Sequence, residues 1–201
     1  MNSPITEERY QFVEWLYRIR KQYPKMGLFQ PDFICIIFGK MLVSKYQRSD
    51  SDIKIAVDEW CDGPMEAEVK YGHISKWNTA YVTNMKELFF NKSEFNDDIS
   101  KWDVSNVMNM SYILASTRFD GDISKWDVSK VTDMMAALCS TPFNGDISGW
   151  NVSNVTNMQS MFESSSFDGN ITNWNVSKVT DMRYMFDGNE YFNCDISKWD
   201  V

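Results

Sequence analysis

Residues 143–162 read FNGDISGWNVSNVTNMQSMF, and the same text returns along most of the chain. Its tryptophan is one of a series. Trp77, Trp102, Trp126, Trp150, Trp174 and Trp199 stand 25, 24, 24, 24 and 25 residues apart. Ile74, Ile99, Ile123, Ile147, Ile171 and Ile196 keep that phase, as do Met85, Met110, Met134, Met158 and Met182 and Phe95, Phe119, Phe143, Phe167 and Phe192. A period of this length marks units that cannot bury an apolar face alone and must stack on their neighbours. The tryptophan of each coil is therefore expected to point inward, layered on its counterparts.

Within the unit Ile123–Leu138, apolar residues fall at Ile123, Trp126, Val128, Val131, Met134 and Leu138. Trp126 and Val128 flank Asp127, the alternation of a strand with one buried face. From Val131 the spacing becomes 3 and then 4, which is helical. Met158, Met161 and Phe162, and Met182, Met185 and Phe186, show it more cleanly. Ser129 or Thr132 is placed to cap that turn. Phe143 and Asn144-Gly145-Asp146 then supply a buried plug and a turn. The first apolar steps match the leucine-rich pattern L-x-x-L-x-L-x-x-N. The fold predicted is an α/β, right-handed, leucine-rich-repeat-like solenoid. It has one short parallel strand and one short helix per 24–25-residue unit. The ninth position, normally Asn, is Val107, Val131, Val155 or Val179. The columns Asp103, Asp127, Asn151, Asn175, Asp200 and Ser105, Ser129, Ser153, Ser177 are the candidates to satisfy the backbone in its place.

The run from Phe143 to Phe162 resembles the bacterial surface-protein repeats, the BspA-like repeats of lipoproteins and adhesins, which are also seen in algae and large DNA viruses. The likeness spans roughly Ile53 to Val201, with Trp-x-Val-Ser-x-Val-Thr-x-Met as its signature. It implies adhesion or protein binding.

The flanks differ from the array. Residues 1–50 carry eight Lys and Arg against five Asp and Glu, while residues 51–201 carry 12 against 23. Phe12, Trp15, Leu16 and Ile19 share one face of a predicted helix, and Ile34, Ile37, Phe38 and Leu42 mark a second. Residues 1–50 are expected to cap the first apolar layer. Residues 51–73 form a helical lead-in, with helices over about Asp52–Cys61 and Pro64–Tyr71. The solenoid covers residues 74–201 as about five repeats and a final half-repeat. Leu28 to Leu42 also resembles, weakly, the start of an F-box, which implies a ubiquitin-ligase substrate adaptor. The sequence stops at Ser197-Lys198-Trp199-Asp200-Val201, on a predicted strand. Three explanations stand open there: a tolerated half-unit, a homodimer through the uncapped coil, or a fragment of a longer protein.

Composition narrows the function. The net charge of −8 opposes sequence-independent nucleic-acid binding, which needs clustered Lys and Arg. No apolar run reaches the length of a membrane span. Glu7 and Glu8 stand where a signal peptide would be basic, which favours an intracellular or virion location over the cell surface; an adhesin would need a signal on a longer parent. Cys35, Cys61, Cys139 and Cys194 are widely spaced and read as reduced thiols. One His against eight Trp and thirteen Met, and no unique titratable cluster, argue against an enzyme. The expected function is a non-enzymatic scaffold binding a protein partner. Its face is Lys76, Ser100, Lys101, Asp103, Ser124, Lys125, Asp127, Ser148, Asn151, Asn173 and Asn175. No cofactor is expected. Calcium at the Asp and Asn turns such as Asp120-Gly121-Asp122 is a minor alternative, since one turn offers few of the 6–8 oxygens required. Glycosylation sequons at Asn91, Asn109, Asn151, Asn154, Asn170 and Asn175 read as by-products of the repeat.

Overall fold

The computed structural model describes residues 45–201. Most of the expected cap and the F-box-like segment 28–42 lie outside the described residues. Strand β1, Gln47–Ser49, pairs in parallel with β2, Asn78–Tyr81. Between them lie helix α1, Ile53–Asp62, helix α2, Pro64–Tyr71, and a 3-10 turn at Ile74–Lys76. Helix α1 buries Ile53, Ala56, Val57 and Trp60, the i, i+3, i+4, i+7 face of an amphipathic helix. Pro64 opens α2, where its missing N–H costs nothing.

The lead-in closes the first layer of the array. The Arg48 guanidinium, 3% exposed, lies 4.9 Å from the Tyr71 ring centre and 5.3 Å from that of Trp77, a cation–π arrangement. Its Nη1 donates to Asp52 at 2.8 Å. The Asp50 carboxylate accepts the Thr83 N–H at 2.8 Å and the Asn84 N–H at 3.1 Å, which ties the lead-in to the first coil.

Beyond Val82 the chain winds in 24- or 25-residue coils laid one on another. Isolated parallel bridges link Asn84, Asn109, Asp133, Asn157 and Asp181. A directional ladder runs beside them. Met85, Glu87, Phe89 and Asn91 donate their N–H groups to the carbonyls of Asn109, Ser111, Ile113 and Ala115. Met110, Tyr112, Leu114 and Ser116 repeat this onto the third coil, and Met134, Ala136, Leu138 and Ser140 onto the fourth. Met158, Ser160, Phe162 and Ser164 carry it to the fifth, with all sixteen distances between 2.8 and 3.1 Å.

This ladder corrects the expected helix of each unit. Residues 83–201 contain no α-helix and no strand longer than one bridge residue. Where a helix is predicted, two turns stand in succession, closed by bonds such as Met161 N–H to Met158 O, 3.2 Å, and Ser165 N–H to Phe162 O, 3.3 Å. Each turn holds one residue at left-handed φ. Glu87, Tyr112, Ala136, Ser160 and Tyr184 form one column, and Asn91, Ser116, Ser140, Ser164 and Gly188 the other. That is the demand of a type II turn at its third position. A 3-then-4 apolar spacing fits a helix and a pair of such turns alike. The i→i−4 acceptor loses here to a carbonyl on the next coil.

The strand position shifts as well. At Trp126–Val128 the chain is flanked by turns, Trp126 N–H to Ile123 O and Val131 N–H to Val128 O. The parallel pairing falls at Asp133 instead. Thr132, expected to cap a helix, donates its N–H and its hydroxyl to Met108 O of the preceding coil, at 2.9 and 3.1 Å.

The indoles point inward. Trp77, Trp102, Trp126, Trp150 and Trp174 are all buried, and Trp199 is half-buried. Trp77 stacks on Trp102 at 6.0 Å and Trp150 on Trp174 at 6.5 Å between centroids. Phe95, Phe119, Phe143 and Phe167 form a second stack at 6.1–6.3 Å. Each inner indole N–H finds a carbonyl, as a buried Trp requires. Trp102, Trp126, Trp150 and Trp174 donate to Ile74, Ile99, Ile123 and Ile147 of the preceding coil, at 3.0–3.2 Å. The phenylalanine plug leaves no room beside it, because a Cβ at Gly145 would stand 2.8 Å from the Phe143 ring.

Candidate functional site: the exposed polar columns

Two of the three columns expected to meet a partner, the serines and the Asp and Asn residues, are tied into local turns. Asp98, Asp122 and Asp146 each accept the N–H of the residue two ahead, Ser100, Ser124 and Ser148, at 2.9 Å. The next column does the same. Asp103 accepts the N–H and hydroxyl of Ser105 at 3.0 and 2.7 Å, and Asn151 and Asn175 accept those of Ser153 and Ser177 at 3.2 and 2.7 Å. Asp127 takes the Ser129 N–H at 3.0 Å. These short Asx turns satisfy the backbone where Val replaces the usual Asn. Asp and Asn exchange freely in the columns because both supply the accepting oxygen.

The lysine column is the one left to solvent. Lys76, Lys101 and Lys125 are exposed on the turn between the isoleucine and the tryptophan of successive coils, and Asn173 takes that place in a later coil. Asp103, Asp127, Asn151 and Asn175 are exposed one step beyond the tryptophan, whereas Ser100 and Ser124 are half-buried and Ser148 is exposed. The structure thus sets Lys76, Lys101 and Lys125 at one phase along the stack, with the Asp and Asn column beside them.

The hydrogen bonds tune the carboxylates. The Ser100 hydroxyl and N–H hold Asp98 below the ordinary carboxylate range. Asp122, Asp127, Asp146 and Asp195 are lowered likewise by Ser124, Ser129, Ser148 and Ser197. Asp146 opposes the shift at Asp122 by like-charge repulsion, whereas Lys125 favours it. Cross-coil bonds bind the turns to one another. Asn96, Asp120, Asn144 and Asp168 each accept the N–H of the residue one coil ahead, at 2.8–3.4 Å. Of the turn residues suggested for calcium, Asn96, Asp98, Asp120, Asp122, Asn144, Asp146, Asp168, Asn170 and Asp195 have Oδ1 engaged with backbone donors.

A cleft of about 360 Å³ opens where α1 meets the first coil, lined by Trp60, Cys61, Lys92, Glu94, Phe95 and Asp97 among others. Its polar groups pair with one another. Trp60 Nε1 donates to Asp97 at 2.8 Å, and Lys92 Nζ lies 3.0 Å from Asp58 and 3.6 Å from Asp62. Burial pushes the Cys61 thiol up to about 11, which keeps it protonated at neutral pH. His73 packs edge-on against Trp60 at 5.1 Å, and its Nδ1 accepts the Ser75 N–H.

Sequence reasoning missed the left-handed columns, the Arg48 lid and the Asp50 clasp. Nothing in the local pattern marks a charged residue, Arg48, as the cover of an aromatic layer. The left-handed columns hold Glu, Tyr, Ala, Ser and Asn, with the single telling glycine at Gly188.

These features define a stacked-coil repeat protein whose interior is apolar and whose polar columns lie outside. The family model described as "Mycoplasma protein of unknown function, DUF285" matches residues 64–165 and again 135–201. The chain belongs to that family. No curated protein and no solved structure matches it.

Proposed function

We propose that the chain is a right-handed, leucine-rich-repeat-like solenoid of the BspA-like surface-repeat kind that works as a non-enzymatic protein-binding scaffold. The partner meets the lysine column and the Asp and Asn column beside it. One observation carries this reading: Lys76, Lys101 and Lys125 project at one phase while nearly every other repeated polar group caps backbone. Evenly spaced charges on a stiff support suit recognition of an extended protein surface.

The test uses a variant that removes charge and keeps every cap: Lys101→Gln, Asp103→Asn and Lys125→Gln. Asn at 103 retains the oxygen that Ser105 needs, as Asn151 does for Ser153. Intact chain and variant are cross-linked to proteins of the source cell, and the captured species are compared by mass spectrometry. A partner bound by the intact chain and lost from the equally stable variant supports the reading. A partner captured equally by both refutes this face.

A further inference from the structure

Three requirements of the fold meet at Asn144. The rings of Phe119, Phe143 and Phe167 are fully buried and stacked at 6.2 and 6.3 Å, so none can move aside. A Cβ on the residue two ahead would lie 2.9, 2.8 or 2.6 Å from the ring, which restricts positions 121, 145 and 169 to glycine. The residue before each glycine must offer an oxygen to the next coil. Asp120 Oδ1 accepts the Asn144 N–H at 3.4 Å, and Asn144 Oδ1 accepts the Asp168 N–H at 2.8 Å. Asp and Asn both meet that need. The row nevertheless alternates, as Asn96, Asp120, Asn144, Asp168 and Asn193, which keeps carboxylates off adjacent coils, where like charges repel. Asn109, Asp133, Asn157 and Asp181 alternate in the same way, as do Asn106, Lys130, Asn154 and Lys178. At position 144 these requirements leave the dipeptide Asn-Gly, found nowhere else in the chain.

We propose that Asn144 is a modification site built into the fold: its amide hydrolyses without an enzyme, through attack by Gly145, and a neutral rung becomes a carboxylate between Asp120 and Asp168. The Gly145 nitrogen gives its proton to solvent base and bonds Asn144 Cγ, closing a five-membered ring within one chain. The Cγ–Nδ2 bond breaks, and the amide nitrogen takes a proton from water and leaves as ammonia. A water molecule then opens the imide. Cleavage between the Gly145 nitrogen and Cγ gives aspartate. Cleavage between that nitrogen and the main-chain carbonyl carbon gives isoaspartate, with one more methylene in the backbone. Either way one water is consumed and one ammonia released.

The groups are placed for this chemistry. Asn144 is exposed to water. Neither the Gly145 N–H nor Asn144 Nδ2 makes a hydrogen bond with any described residue, so nucleophile and leaving group are both free. By contrast, Asn106 and Asn154 tie Nδ2 to the carbonyls of Ala80 and Ser129 at 2.9 and 2.8 Å. The Asp168 N–H on Asn144 Oδ1 favours the negative charge that gathers on that oxygen as the nitrogen adds. The aspartate product keeps the acceptor that Asp168 needs, as Asp120 does for Asn144. It therefore leaves the coils joined and sets three carboxylates in succession along one edge.

The experiment incubates the intact chain in mildly alkaline buffer made with heavy-oxygen water and maps the products by mass spectrometry. Asn144 is expected to convert at least about tenfold faster than Asn96 and Asn193, which share its phase but precede Asp97 and Cys194, because a glycine leaves the attacking nitrogen unobstructed. Each conversion is expected to take up heavy oxygen and release ammonia. Conversion at Asn144 no faster than at those two residues overturns the site. In a second arm, Asn144→Asp presents the product directly. Its Tm is expected to fall relative to the parent as salt is lowered, because screening of the stacked carboxylates weakens. Adding Asp120→Asn and Asp168→Asn is expected to cancel that dependence. An Asn144→Asp chain whose Tm tracks the parent at every salt concentration overturns the charged rung.

Discussion

Replacing Trp150 separates the two contributions that hold a coil in place. Its side chain is 6% exposed, stacks on Trp174 at 6.5 Å and donates Nε1–H to Ile123 O at 3.1 Å. Trp150→Ala removes the ring and the donor, and is expected to cost about 3–5 kcal/mol, the range for a large buried aromatic. Trp150→Phe keeps a stacking ring and removes only the donor. It leaves the Ile123 carbonyl with one donor, Trp126 N–H at 3.1 Å, in place of two, at about 0.5–1.5 kcal/mol, the net worth of one hydrogen bond. Repeat arrays lose two-state cooperativity when one coil weakens, so denaturant unfolding is to be paired with residue-resolved hydrogen exchange. Exchange is expected to quicken first at Ala136, Leu138, Ser160 and Phe162, the ladder donors on either side. A loss below about 1 kcal/mol for Trp150→Ala, the size of a surface change, would refute the inward indole. A Trp150→Phe variant as stable as the parent would refute the carbonyl bond.

The acid response follows from the lowered carboxylates. Asp98, Asp122, Asp127, Asp146 and Asp195 ionise more readily when folded. Their stabilisation is therefore complete above the unfolded value of about 4 and is lost as pH falls through the lower folded values. Asp122→Asn, which keeps the acceptor and removes the titration, is expected to flatten the stability curve below pH about 4; an unchanged curve would refute the coupling. Cys61, pushed up to about 11, is expected to react with iodoacetamide at pH about 8 far more slowly in the folded chain than in denaturant. Equal rates would show an unperturbed thiol. Ser164→Gly relieves a left-handed φ of 52° and is expected to stabilise by about 0.5–1 kcal/mol, the difference between left-handed strain and the chain entropy of glycine. Gly188→Ala, at φ 66° with its Cβ 2.9 Å from Ser164 Oγ, is expected to lower Tm. A destabilising Ser164→Gly together with a Gly188→Ala as stable as the parent would refute the paired-turn reading.

Much of the interior is legible in the text of the repeat. Ile123, Trp126, Val128, Val131, Met134, Leu138 and Phe143 are each at most 4% exposed, because an apolar residue kept at one phase in every coil has only the core to occupy. The candidate face is legible only in outline. The sequence marks Lys101, Asp103 and Lys125 as polar and in phase, but cannot separate a carboxylate that caps Ser105 from an ammonium that faces water. That distinction depends on where the backbone N–H two residues ahead points.

The 24-residue period by itself determined that this protein is built of like layers, which side chains fill them, and that Phe and Trp each form a column. It could do so because burial of apolar area is non-directional and is recorded in residue type alone. The tertiary structure alone decided how the backbone closes each coil. A peptide N–H bonds whichever carbonyl lies within reach, and at Met134, Ala136, Leu138 and Ser140 that carbonyl belongs to residues 23 positions ahead. The same contest placed the parallel bridge at Asp133 rather than beside Trp126 and gave the indoles of Trp102, Trp126, Trp150, Trp174 and Trp199 an isoleucine carbonyl one coil behind. Hydrogen bonding is directional and short-ranged, so its partners exist only once the coils lie against one another.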